Sequence, residues 1–490
     1  MADQSNIPTK ELVARDLAVL WHPCSQMRDY HDFEPLHVVG AKGSRLHLAD
    51  GSSLIDAISS WWCKSLGHGH PRLQAALIAQ AQQFEHVILA NTTNEKAVTL
   101  CERLCELANG NDDLQIRNMV ARATSDPAQS EIRNHFTKVF LAGDGSVGME
   151  IALKMAFQAQ QQRGQTSRTR FAHFAHGYHG ETIATLAVGD CGLYGSPFAP
   201  LFFNSIRLEN IPYRTGPGDP RWMDASDEWA RIEKQLEAHA QELAGIVYEP
   251  VLQGAGGMKL YSPDLLPRLT AWAQAHGVFT IADEIASGLG RLGTPLASHL
   301  GQGSRSKVQG HQTTNDAIDV GVSLGNHDYV LPDIVVLSKG LTSGYMPLSA
   351  VLTTQSIYDI FDADYHEGKA FLHSNTYTGH ALAVAVAHAT LDVMHDEHIY
   401  AKVARHGPLL YQGLYQLSQK YSLLHNLRGC GMMAAVDLRH ADGSPLDPRL
   451  RTGWQVYRSA VKRGVLLRNL GDTMYLYPPL NISPDDIAEM

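Results

Sequence analysis

Five short apolar runs recur between about residues 137 and 355, separated by patterns of helical period. They read KVFLA (138–142), GIVYEPV (245–251), VFTIADEI (278–285), DIVVLSKG (333–340) and LSAVLTT (348–354). Nearly continuous apolar strands bury both of their faces, which predicts a mostly parallel sheet covered by helices on each side. One intervening stretch, SPDLLPRLTAWAQAHG (262–277), carries a full set of helix signals. Ser262 can cap, Pro263 can take the first helical position, and Leu265, Leu266, Leu269 and Trp272 form one apolar stripe. Gly277 supplies the stop.

The 490 residues exceed one simple core, so two domains or one large domain with satellites are expected. A formal charge of −10 is spread along the chain without a basic block, which excludes nucleic acid and an anionic membrane surface as expected partners. No run approaches the roughly 18 uninterrupted apolar residues of a membrane span. Charged residues interrupt the apolar rise of MADQSNIPTKELVARDLAVLWHP, so no signal peptide and a cytoplasmic location are expected. Six cysteines make no disulfide framework, Cys101 and Cys105 sit at helical spacing, and reduced thiols follow. The strings GHGHP (67–71) and HGYHG (176–180) look metal-like, but no carboxylate or thiolate stands at a recognisable zinc spacing, so no metal is expected. Two polar segments, 108–135 and 301–330, read as inserts. At the end, TMYLYPPLNISPDDIAEM runs a strand into a helix start at Ser483-Pro484 and stops after two turns; either the chain is a fragment or its end differs from that of its relatives.

Gly143-Asp144-Gly145-Ser146-Val147-Gly148, after the first run, spells G-x-G-x-x-G. A dinucleotide site also needs an acidic residue about 20 positions on, for the ribose hydroxyls. GQTSRTRFAHFAHGYHG (164–180) offers Arg168 and Arg170 but no acid before Glu181. What survives is an anion cradle: glycines that let backbone N–H groups approach, Ser146 as a donor, and a helix N-terminus near Val147. A plain strand-to-helix turn is the alternative. Asp283 follows one apolar run and Lys339 another. A lysine sheltered among small residues has a lowered pKa and can form a Schiff base. A phosphate anchor, an anion for a ring nitrogen and an amine for an aldehyde together match the needs of pyridoxal phosphate.

The motifs GDGSVGMEIALKMA, HGYHGETIATLAVG, EPVLQGAGGM, IADEIASGLGRLG and LSKGLTSGYMPLSA stand in an order that resembles the class-III aminotransferases of fold-type I. LWHPCSQM, SSWWCKSLGHGHP and LLRNLGDTMYLYPPLNISPDD are similar to the branch of that family serving biotin synthesis. The resemblance covers nearly all the chain except the two inserts. It implies an α/β fold with a three-layer α/β/α large domain over 59–395 and a small α+β domain built from 1–58 and 396–490. It implies pyridoxal 5′-phosphate as cofactor, 8-amino-7-oxononanoate as amino acceptor, S-adenosylmethionine as expected donor, and a homodimer with a shared active site.

By the same resemblance, Lys339 would carry the cofactor's aldehyde and shuttle a proton, and Asp283 would pair with the ring nitrogen. Gly145 and Ser146 would hold the phosphate, and Tyr178 would stack on the ring and line the substrate space. Thr376, in FLHSNTYTGH, would complete the neighbouring subunit's phosphate site, with Ser374 and Asn375 beside the cofactor or substrate. Arg468 would bind the distal carboxylate, Trp61 would wall the aliphatic chain while Trp62 packs in the core, and Arg291 would lie near the substrate. The chain departs from the family in three places. Cys24 stands where a tyrosine is common, leaving Tyr30 or water to replace its phenol. HSNT replaces HGPT, and the second insert lengthens the spacing between Asp283 and Lys339. The rival readings are another ω-amino-acid or diamine aminotransferase, an NAD-dependent oxidoreductase and a silent pyridoxal-binding protein.

Overall fold

A computed structural model describes residues 7–110, 135–190, 192–302 and 330–490. Most of the two polar segments, 111–134 and 303–329, lies outside these described residues. At the centre is a seven-stranded sheet with spatial order 136–142, 349–354, 334–337, 279–283, 243–248, 170–174, 206–208. Pairings among the five strands from 334–337 to 206–208 are parallel, and Ser349–Thr354 runs antiparallel to both of its neighbours.

Alternation along each strand divides the core. Phe279, Ile281, Ile334, Val336 and Val351 face one side with Met149, Ile151 and Ala152 of the helix Gly145–Gln162. Ala282, Val335, Leu337, Ala350 and Leu352 face the other, with side chains from the helices Glu95–Ala108, Leu265–His276 and Ala381–Asp396. Period-two alternation with both faces apolar produces three layers, α/β/α. Gly148 shows how closely helix and sheet approach: a Cβ there would lie 2.9 Å from Val336 Cγ1 and 3.0 Å from Ser349 Oγ.

Local signals set several helix ends. Asn94 accepts a hydrogen bond from Ala97 N and starts Glu95–Ala108. Ser483 accepts from Asp486 N with Pro484 in the first turn, and the short last helix is tied down where Arg45 meets Asp486 (2.6 Å) and Glu489 (2.5 Å). One expected cap is absent. Helix 265–276 begins at Leu265 after Asp264, neither Ser262 nor Asp264 caps it with a side chain, and Ser262 Oγ is buried. Asp264 instead accepts from Arg268 Nε and from Ala225 N, the latter at the start of the helix Ser226–Glu237. Gly277, at φ +66°, ends the helix as expected.

Both ends of the chain meet in one small sheet, where Ser53–Asp56 pairs in parallel with Val465–Leu466. A second four-stranded sheet combines 424–430, 433–438, 473–476 and 469–470.

Candidate active site

The carboxyl ends of the central strands open onto a cavity of about 430 Å³. Open α/β sheets gather ligand groups at such ends. Asp283 is the last residue of Phe279–Asp283. Its Oδ2 lies 2.9 Å from His179 Nδ1 and its Oδ1 accepts from Ile285 N at 3.1 Å, so both oxygens are fixed. Lys339 opens a 3₁₀ turn just past Ile334–Leu337, at φ +39°. A lysine in that left-handed region stores about 1–3 kcal/mol, which surrounding contacts must hold. Ser338 does so by donating to Leu348 O at 2.7 Å. Burial lowers the Lys339 pKa, opposed by the charges of Asp283, Glu249 and Cys63.

The opposite wall is the N-terminus of Gly145–Gln162, whose cap, Asp144, accepts from Val147 N at 3.1 Å. The helix starts two residues earlier than the sequence suggested, so Gly145 and Ser146 both lie in its first turn. A Cβ at Gly145 would lie 2.9 Å from Ile285 Cδ1, and at Gly180 (φ +125°) it would collide with Ser146. Backbone there stays close to the cavity because no side chain intervenes.

Trp61 and Trp62 diverge because the Ser59–Trp62 turn is irregular, with φ near +60° at Ser60 and Trp62. Buried Asp56 holds that turn by accepting from Ser60 N and Ser60 Oγ, both at 2.9 Å. Trp61 is turned outward, 44% exposed, and the Arg468 guanidinium lies 4.4 Å from its ring centre. Trp62 is buried as expected, but its ring also lies 4.9 Å from Lys339 Nζ and its Nε1 donates to Tyr475 Oη at 3.1 Å. Tyr178 lines the same cavity and donates to Glu181 Oε1 at 2.9 Å.

Seven residues named from sequence therefore share one cavity: Gly145, Ser146, Tyr178, Asp283 and Lys339, with Trp61 and Arg468 at its edge. Other placements differ. Arg291 is buried away from it: its guanidinium donates to Met432 O (2.8 Å) and Pro478 O (2.7 Å) and stacks 3.6 Å from the Tyr477 ring centre. Those carbonyls occupy a guanidinium that was expected at the substrate. Ser374 and Thr376 are exposed and Asn375 half-buried, and none of the three lines the cavity within a single chain. Cys24 lines a larger adjoining cavity of about 1380 Å³. The phenol beside Cys24 is that of Tyr194, not of Tyr30, whose ring packs 4.8 Å from His22. The metal-like histidines have separate partners: His68 meets Asp56 at 2.8 Å, His70 meets Glu397 at 3.1 Å and His179 meets Asp283. Among the described residues, no three His, Cys, Asp or Glu side chains gather as a metal site.

From sequence alone, His179 has no role beyond the metal-like string HGYHG, and Glu249 has none. Glu249 accepts from Gly254 N (2.9 Å) and Tyr178 N (3.0 Å), and burial pushes its pKa up to about 7. A carboxyl with a raised folded pKa binds its proton more tightly folded than unfolded. Its contribution is whole below the unfolded value near 4.5 and declines as pH rises towards 7. Urea unfolding of the cofactor-free protein is expected to lose at most about 3 kcal/mol across that window through this group. Glu249→Gln should flatten the decline, and an identical decline in the variant would contradict the assignment.

The family described as "Aminotransferase class-III" matches residues 26–303 and 325–490. The chain belongs to the class-III aminotransferases. It is 33% identical to the adenosylmethionine-8-amino-7-oxononanoate aminotransferase of Geobacter sulfurreducens, over 98% of this chain and 95% of that protein. It is 34% identical to the protein of the same name from Synechococcus elongatus, over 96% of each. Among solved structures, the adenosylmethionine-8-amino-7-oxononanoate aminotransferase of Methanocaldococcus jannaschii superposes with TM-score 0.80 at 28% identity, over 97% of this chain and 95% of that one. An amine transaminase from an uncultivated Pseudomonas species, in its PLP-bound form, superposes with TM-score 0.78 at 29% identity, over 96% of each. As a class-III aminotransferase, the chain is an enzyme that transfers amino groups.

Proposed function

We propose that this aminotransferase converts 8-amino-7-oxononanoate to 7,8-diaminononanoate, a step of biotin synthesis, with S-adenosylmethionine as amino donor and pyridoxal phosphate as cofactor. The observation that carries the reading is near-full-length similarity to relatives named for that reaction. The chain's own residues suit the cofactor: an amine and a fixed carboxylate face one cavity, and a helix N-terminus with two small residues forms its wall. When bound, pyridoxal phosphate supplies a ring that accepts electron density from the carbon being deprotonated.

Within that reading, Lys339 Nζ removes and returns the proton at the reacting carbon, and its lowered pKa leaves more free amine near neutrality. Asp283 presents an anion in a fixed direction because His179 and Ile285 N hold its two oxygens. Such an anion stabilises positive charge on its partner without reorganising during reaction. Tyr178, Trp61 and Trp62 keep water from the reacting end. Arg468, oriented on Trp61, grips the acceptor's distal carboxylate.

The reading extends to a homodimer in which a second copy brings Ser374, Asn375 and Thr376 to the cavity. Their position outside the cavity of their own chain, beside exposed Leu372 and Tyr377, supports it. We also propose the division into 59–395 and the two chain ends. A cytoplasmic location suits the free thiols of Cys24, Cys63, Cys101, Cys105 and Cys430; among the described residues, no helix is long and apolar enough to cross a membrane.

Arg468→Ala tests the acceptor. Steady-state rates with S-adenosylmethionine should show kcat/KM for 8-amino-7-oxononanoate falling roughly a hundredfold. Unchanged kcat/KM would return the enzyme to the wider set of ω-amino-acid aminotransferases.

A further inference from the structure

Five residues, Ser60, Tyr194, Ala255, Arg468 and Leu470, line both the cavity of Lys339 and the larger one beside it. Two of them, Tyr194 and Arg468, meet the same residue from different sides. Arg468 Nη2 donates to Cys24 O at 2.8 Å, and Tyr194 Oη lies 2.8 Å from Cys24 Sγ. Cys24 holds a left-handed backbone, φ +52°, a conformation that surrounding contacts must maintain in a residue with a side chain. Tyr194 is 37% exposed, its ring edge-on to that of Tyr178 with centroids 6.1 Å apart.

The choice of partner is chemically informative. A thiol is a weak donor and a weak acceptor, so a phenol resting on sulfur gives up little when a better acceptor arrives. Burial and then the contact with Cys24 raise the Tyr194 pKa well above its ordinary value, so its O–H stays a donor at neutral pH. One phenolic O–H and one guanidinium, both anchored on residue 24 at the junction of two cavities, make a receptor for a planar anion with two oxygens.

We infer that Tyr194 is a specificity-determining residue that donates a hydrogen bond to the substrate's distal carboxylate beside Arg468, with Cys24 positioning both donors. This rests on the acceptor reading given above. The other candidate for the phenol is the substrate's amino group, since the Glu181 carboxylate also lies close enough to influence Tyr194. The shared attachment of Tyr194 and Arg468 to Cys24 favours the carboxylate.

The test compares 8-amino-7-oxononanoate with its methyl ester, which keeps the ketone and amine but lacks the anion. Holoenzyme, Tyr194→Phe and Cys24→Ala are each assayed against both acceptors with the same donor, and melting temperatures are recorded. Wild type should prefer the acid. Tyr194→Phe should lose roughly tenfold in kcat/KM for the acid, mainly through KM, and distinctly less for the ester, whose carbonyl is a weaker acceptor, with the melting temperature unchanged, a difference a general structural role would not produce. Cys24→Ala, which keeps the phenol but frees it, should lose the same preference by a smaller factor. Equal losses on acid and ester, as an amino-group contact would give, or no loss on either, would overturn the inference. Failure of wild type to transaminate the acid at all would instead refute the acceptor reading.

Discussion

Lys339→Ala is expected to lower transamination by roughly 10⁴- to 10⁶-fold, because in the proposed mechanism one amine serves as both attachment point and proton carrier. The variant should still fold. Burial works against the charged form of this side chain, so removing it lifts a penalty and should leave the melting temperature unchanged or higher. Millimolar methylamine should restore part of the rate by supplying a free base to the vacated space. A residual rate within tenfold of wild type, or loss of activity only in step with loss of folded protein, would contradict the role.

Asp283→Asn should cost roughly 10²- to 10³-fold in kcat at preserved fold. Asparagine is nearly the same shape and its Oδ1 can still accept from Ile285 N or His179, so the surroundings need not rearrange. What disappears is the negative charge, and a fixed charge facing a developing one is worth several kcal/mol where water is excluded. Substrate KM should change little, since the proposed mechanism has Asp283 act on the cofactor and not on the amino acceptor. A kcat within threefold of wild type would refute the assignment.

Much of this arrangement could be read from the sequence because of where its residues stand in the strands. Asp283 and Lys339 each follow a short apolar run, and the carboxyl ends of adjacent parallel strands necessarily open on one side of the sheet. Gly145 and Ser146 follow the first strand in the same way. The antiparallel direction of Ser349–Thr354 was not legible, because a strand buried on both faces has the same apolar composition in either direction. The three-residue strand Ile206–Leu208 is too short to show any period.

Within the site, the misses share a cause: they depend on contacts between residues far apart in the chain. Glu249 matters because it receives Tyr178 N, 71 positions away, and His179 because it reaches Asp283, 104 positions away. Tyr194 lies 170 positions from Cys24, so nothing near the N-terminus could favour it over Tyr30. Arg291 was expected near the substrate only through the family's GLGRLG turn, and no local pattern shows that its guanidinium folds inward onto Met432 O and Pro478 O.

The most direct measurement is chemical mapping of the amine. The purified enzyme, saturated with pyridoxal phosphate and reduced with borohydride, is digested and its peptides sequenced by mass spectrometry. A single phosphopyridoxyl adduct on Lys339 is the expected result. An adduct on a different lysine, or none while activity persists, would contradict the account.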